Sequence, residues 1–230
     1  MTTDTFRSIE SYMLLCMKDS AHDKEHIYRV LYNALEIAKD EEDVDYDVLI
    51  CACLLHDIAR EEQFRDPGIC HAQAGGEKAC RFLTGHGFDE AFAVKVKHCI
   101  QTHRFRKSDP PESIEAKILF DADKLDAAGA LGIARTLVYK GIVTEPLYTL
   151  LPDGRISAGE DGEPSFFHEY KFKLEKLYSK FYTKKGAELA AKRQKAAVDF
   201  YNSLYGEVAE SYESGGQELA RLLSDTDFGE

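Results

Sequence analysis

No apolar stretch in this chain reaches the roughly 20 residues that a membrane-spanning helix needs, so an integral-membrane protein is not expected. The N-terminus, Met1-Thr2-Thr3-Asp4, has neither a basic region nor a long apolar segment, and it does not read as a signal peptide. None of the six cysteines (16, 51, 53, 70, 80 and 99) forms a Cys-x-x-Cys pair, which removes the zinc-ribbon class. Cys51 and Cys53 fall on opposing sides of any helix that carries them. The cysteines read as reduced core residues of a cytoplasmic protein. Positive charge is in deficit. Lys and Arg total 29 against 41 Asp and Glu, a net charge of −12, which argues against general nucleic-acid binding. The imbalance is uneven: residues 36–66 are acidic, while 171–195 are lysine-rich and read as a solvated helix face. Internal repeats and low-complexity tracts are absent.

What the chain does have is ample apolar material, 44% of 230 residues, for one substantial core. His56 and Asp57 sit in the middle of an apolar run from Val48 to Ala59. A buried carboxylate without a partner is very costly. The run offers no cationic side chain before Arg60. A divalent cation would compensate Asp57 better, because carboxylate and neutral imidazole are its natural ligands. A helix cap or a satisfied core histidine is the plainer explanation of an isolated pair. This pair has company: His26 lies on an earlier helix, and Asp121, Asp123 and Asp126 follow. Ligands from separate helices plus one adjacent pair suit a mononuclear site inside a helical bundle.

The apolar periodicity is helical along the chain. Residues 6–18 form an opening helix. The next begins at Asp23, a good N-cap, with His26 in its first turn and Arg29 one turn later. His22, just before the cap, is a candidate pocket residue. Residues 47–60 carry the His-Asp pair. Neighbours on a helix point about 100° apart, so both reach one ion only if it lies between their directions. A polar connection with a Pro67-Gly68 turn follows, then helices over 71–83 and 89–102. These bring His71, His98 and His103, candidates for holding phosphate or a second metal. Asp109-Pro110-Pro111-Glu112 reads as a helix start, with Asp at the cap, and the helix runs through Ala128. Its stripes do not choose a ligand, since Asp123 and Asp126 share one with Leu119, and Asp121 shares another with Ile118. Residues 141–165 read as a long, mobile surface loop with a short hairpin at Pro152-Asp153-Gly154, a candidate lid. Helix returns over 166–206 with a break between Thr183 and Gly186, and 207–230 reads as a polar, frayed tail.

The ordered set His26, His56-Asp57 and Asp123 resembles the signature of the HD-domain metal-dependent phosphohydrolases, in their stand-alone branch of uncharacterised and nucleotide-directed hydrolases. Three segments carry the likeness: His22-Asp23-x-x-His26-x-x-Arg29-Val30, Leu54-Leu55-His56-Asp57-Ile58, and Ile118 to Ala127. The resemblance implies an all-α fold: a single HD-type helical domain over 1–206, with the metal-site core in about 20–135, the loop at 141–165 and added C-terminal helices. It implies His26, His56, Asp57 and Asp123 as ligands of one divalent cation (Mn, Mg, Ni, Co, Fe or Zn), and so favours Asp123 over Asp121. In some members of the family an acidic residue shortly after the pair assists catalysis. Glu61 lies in that neighbourhood, and Asp57 and Lys124 are the other catalytic candidates. His22, Arg29, His71, His98, His103 and Arg104 would bind a phosphorylated small molecule, a nucleotide above all, and a homodimer is compatible with this. The expected reaction is hydrolysis of a phosphate ester or anhydride by water activated at the ion. Other classes remain open: a non-catalytic metal- or nucleotide-binding regulatory module, a phosphodiesterase or alarmone hydrolase of the same superfamily, or a dinuclear-metal enzyme using some of His71, His98 and His103.

Overall fold

The apolar run from Val48 to Leu55 has no polar face, so a helix made of it must be covered on every side. The computed structural model, which describes residues 1–17, 24–104 and 109–226, does this with a helical bundle. Its helices are α1 (Thr3–Cys16), α2 (Glu25–Ala38), α3 (Tyr46–Leu55), α4 (Arg60–Arg65), α5 (His71–Gly85), α6 (Glu90–Thr102), α7 (Ile114–Asp126), α8 (Gly129–Ile142), α9 (Phe166–Glu169) and α10 (Lys184–Thr226). Helix α3 is central: α1, α2, α5, α6 and α7 all pack against it. Cys51, Cys53 and Cys99 are buried free thiols, and burial pushes Cys51 and Cys99 up to about 12, so they are inert core residues. Among the described residues no strand forms and no helix is long and apolar enough to cross a membrane.

The boundaries depart from the sequence reading in places that matter. Helix α3 stops at Leu55 rather than running to residue 60. The His-Asp pair lies in a tight turn instead, closed by Ile58 N–H to Leu55 O and Arg60 N–H to Asp57 O. Helix α7 starts after Ser113, whose hydroxyl accepts from Ala116 N, and not at Asp109. The Pro-Pro pair explains this, because a residue that precedes proline is pushed out of helical geometry. The same helix ends at Asp126, and α8 begins at Gly129 with a φ of +69°. Where continuous helix was read from residue 166, α9 gives way to a π-helical turn (Tyr170–Leu174) and a 3₁₀ turn (Leu177–Ser179). Helix α10 then continues through the expected tail to Thr226, mostly solvent-exposed beyond Tyr201. The expected cap Asp23 and the pocket candidate His22 lie outside the described residues.

The chain divides into two compact units, Met1–Asp126 with Phe181–Leu189, and Ala127–Lys180 with Ala190–Glu230. In the second unit the 141–165 segment is a bonded hairpin. Leu151 N–H donates to Arg155 O, Ser157 N–H donates to Thr149 O, and Leu150 bridges Ile156. Tyr201 stacks on Tyr170 at 4.1 Å and donates its hydroxyl to Ala158 O at 2.7 Å, holding the hairpin to α10.

The first unit is closed by Asp121. This wholly buried carboxylate accepts from Tyr182 N (2.9 Å), Thr183 N (2.7 Å) and Thr183 Oγ1 (2.7 Å). Thr183 Oγ1 in turn accepts from Gly186 N, capping α10. A β-carbon on Gly186 would lie 2.7 Å from Asp121 Oδ2, so glycine permits the approach. Asp121→Ala strands the buried Thr183 N–H and the part-buried Tyr182 N–H. It is expected to cost roughly 2–4 kcal/mol in urea unfolding while leaving metal content unchanged.

Candidate metal centre

Five places in the first unit converge. Helix α2 supplies His26, the turn after α3 supplies His56 and Asp57, the first residue of α5 is His71, the end of α6 leads into His103, and α7 supplies Asp123. Each imidazole commits its Nδ1–H outward. His26 donates to Asp126 Oδ2 (2.7 Å), His56 to Cys53 O (2.7 Å), His103 to Ile100 O (2.5 Å) and His71 to Gln63 Oε1. These acceptors leave Nε2 of His56, His71 and His103 with lone pairs facing inward, while His26, held between Asp123 and Asp126, keeps a proton on its inward Nε2 until a metal displaces it.

They face one another in pairs. His26 and His56 Nε2 are 3.3 Å apart, as are those of His71 and His103. Asp57 divides the two pairs. Its Oδ2 lies 3.6 Å from His26 Nε2 and 3.8 Å from His56 Nε2. Its Oδ1 lies 3.3 Å from His71 Nε2 and 3.8 Å from His103 Nε2, and this buried atom has no hydrogen-bond partner. Asp123 Oδ1 adds to the first pair, 3.3 Å from His26 Nε2 and 4.0 Å from His56 Nε2. Opposed lone pairs around an unpaired buried carboxylate oxygen are unfavourable alone. They fit a divalent cation, with His26, His56 and Asp123 as one donor set and Asp57, His71 and His103 as a second.

A family model for the HD domain matches residues 24–128. A crystal structure of a predicted HD superfamily hydrolase from an uncultured Thermotogales bacterium is 31% identical, with a TM-score of 0.59, covering 87% of this chain and 91% of that one. The chain belongs to the HD family. An HD-superfamily hydrolase from Bacillus thuringiensis is 29% identical (TM-score 0.67, covering 89% and 96%). The uncharacterised protein YpgQ of Bacillus subtilis is 28% identical over 195 residues, 83% of this chain and 86% of YpgQ.

The electrostatics of the HD site follow from burial and proximity. Burial opposes ionisation of Asp57, but Arg60 and the imidazoles outweigh it and hold the carboxyl well below the usual range. Burial lowers His56 to about 4, and lowers His71 to about 2 with help from Arg60 and His103. His26 is the exception. Burial opposes its protonation, yet hydrogen bonds to Asp123 and Asp126 win and raise it to about 9.

The structure gathers His26, His56, Asp57 and Asp123 as the HD pattern implies, and places His71 and His103 beside them. The other candidates make different contacts. Arg29 is committed to Asp126, Nε to Oδ1 at 2.7 Å and Nη2 to Oδ2 at 3.1 Å. Glu61 pairs with Arg65 at 3.0 Å, and the Lys124 ammonium rests 3.9 Å above the Phe120 ring. His98 is exposed in a separate groove with Lys95 and Glu112. Arg104 is half-buried, with Nη1 4.0 Å from Cys70 Sγ. Two residues at the centre escaped the sequence reading. Asp126 orients His26, and its place on the Asp123 stripe was the available signal. Arg60 lies with Nε 3.3 Å from Asp57 Oδ2 and Nη1 3.0 Å from His71 Nδ1. Its signal was being the first cation after the apolar run.

Two outcomes follow for metal binding. In the metal-free protein, protonated His26 between its carboxylates adds stability below pH 6.5 that is lost as pH rises through about 9. A metal must displace that proton. Affinity for Mn²⁺ is therefore expected to rise about tenfold per pH unit over this window, with about one proton released in calorimetry. Asp126→Asn removes the carboxylate that orients His26 and is expected to weaken Mn²⁺ binding about 10–100-fold in the same titration.

Proposed function

We propose that this protein is a metal-dependent phosphohydrolase that cleaves a phosphate ester or anhydride of a nucleotide or a related small molecule. The observation that carries the reading is the buried Asp57, with Oδ1 unpaired and lone-pair nitrogens facing both of its oxygens. An ion held there supplies Lewis acidity, lowering the pKa of a water and polarising a phosphoryl oxygen. The chain's own part is positioning. His26, His56 and Asp123 lie on one side of Asp57, and the outward hydrogen bonds of the two imidazoles keep their donor atoms preorganised. Nucleotide as the substrate class is supported by a relative: Bacillus subtilis YpgQ, 26% identical in this comparison, has been crystallised in complex with ADP.

A second reading, in which Asp57, His71 and His103 would hold a second ion, is favoured by the placement of Oδ1 against His71 and His103. The two readings share the reaction and differ in stoichiometry. In a panel of nucleoside mono-, di- and triphosphates with Mn²⁺, wild type is expected to release phosphate or pyrophosphate. His56→Ala and Asp57→Ala are expected to fall to the level of chelator-treated wild type. Undiminished activity in both variants would sink the proposal, and metal or nucleotide binding without turnover would favour a regulatory module. Elemental analysis of protein purified without chelator counts the ions.

A further inference from the structure

Beside this cluster of imidazoles and carboxylates lies a cation whose own donors are largely unspent. Arg60 opens α4 with its side chain 30% exposed. A guanidinium carries five N–H donors in a planar fork. Its Nε is buried and 3.3 Å from Asp57 Oδ2, but is not aligned for a hydrogen bond. Its Nη1 is 3.0 Å from His71 Nδ1, yet that nitrogen already donates to Gln63 when it turns Nε2 inward, and so offers Nη1 no lone pair. Among the described residues Nη2 has no hydrogen bond. Arg104 reaches the residue just before His71, with Nη1 4.0 Å from Cys70 Sγ. Arg29, the other arginine at the centre, is taken by Asp126. The anion-attracting side of the site is therefore at Arg60 and Arg104.

We propose that Arg60, with Arg104 beside it, is the clamp for a phosphate group of the substrate, and that its hold on Asp57 is provisional. This rests on the phosphohydrolase reading above. A cation at Asp57 neutralises the carboxylate that Arg60 faces, and the fork then has its donors for phosphate oxygens, which match its geometry in pairs. Because guanidinium and metal compete for the charge of one carboxylate, removing Arg60 weakens phosphate binding without weakening the metal.

The test uses the whole protein loaded with Mn²⁺ and freed of excess metal, with imidodiphosphate as a probe that is not hydrolysed. Calorimetry is expected to show Arg60→Gln binding the probe at least about tenfold more weakly, the loss of one charged hydrogen bond. Its Mn²⁺ affinity is expected to be equal or tighter. Arg60→Lys, which keeps the charge but loses the fork, falls between, and it serves as the test variant if Arg60→Gln does not fold. Arg104→Gln is expected to weaken the probe less than Arg60→Gln. Unchanged probe affinity in both Arg60 variants overturns the clamp, and so does a parallel loss of Mn²⁺, which would make Arg60 a support for Asp57. Wild type that binds no Mn²⁺ sinks the phosphohydrolase reading itself, a result distinct from failure of the clamp.

Discussion

One carboxylate with no access to water governs the first unit. Asp57 sits at the end of a helix that is apolar on all sides, with its two oxygens turned toward two different pairs of imidazoles. A charge in that position is tolerable only if its surroundings supply compensation. The turn at residues 56–59 aims His56 and Asp57 inward together. The acceptors around the centre, at Cys53, Gln63, Ile100 and Asp126, hold the four rings with Nε2 facing it. The interior is shaped to keep ligands in place before any ion arrives.

Charges of both signs interleave around this centre. Asp126 and Asp123 surround His26, and Arg29 is bound to Asp126. Arg60 reaches both His71 and the Asp57 oxygen that faces His26 and His56. The overall charge of −12 does not reveal this, because a local field depends on a handful of nearby groups.

Much of the fold was legible. Helical periodicity marked α2, α5 and α6 nearly to their ends, and Asp89 caps α6 through Ala91 N and Phe92 N. The clustered residues His26, His56, Asp57 and Asp123 were legible as an ordered set through their likeness to the HD pattern. Spacing alone left Asp121 and Asp123 undecided, because both lie on faces with apolar neighbours. Tertiary partners separate them: Asp121 meets the backbone at Tyr182 and Thr183, and Asp123 meets His26. The roles of Arg29 and Arg60 were out of reach for the same reason. A guanidinium's partner is set by which helices adjoin, and periodicity does not contain that. The extent of α10 was missed because a solvated helix needs no apolar stripe to give it away.

The bond from Asp121 to Thr183 has a consequence for where this domain ends. Every donor atom of the centre precedes residue 127, and the HD-domain model's match stops at 128. The folding unit does not stop there. The chain leaves after Asp126, makes an excursion of more than fifty residues, and returns at Phe181–Leu189 to satisfy a carboxylate two positions from Asp123. A fragment trimmed to the matched region would keep all the ligands and orphan Asp121, so the smallest self-sufficient piece of this protein is discontinuous in sequence.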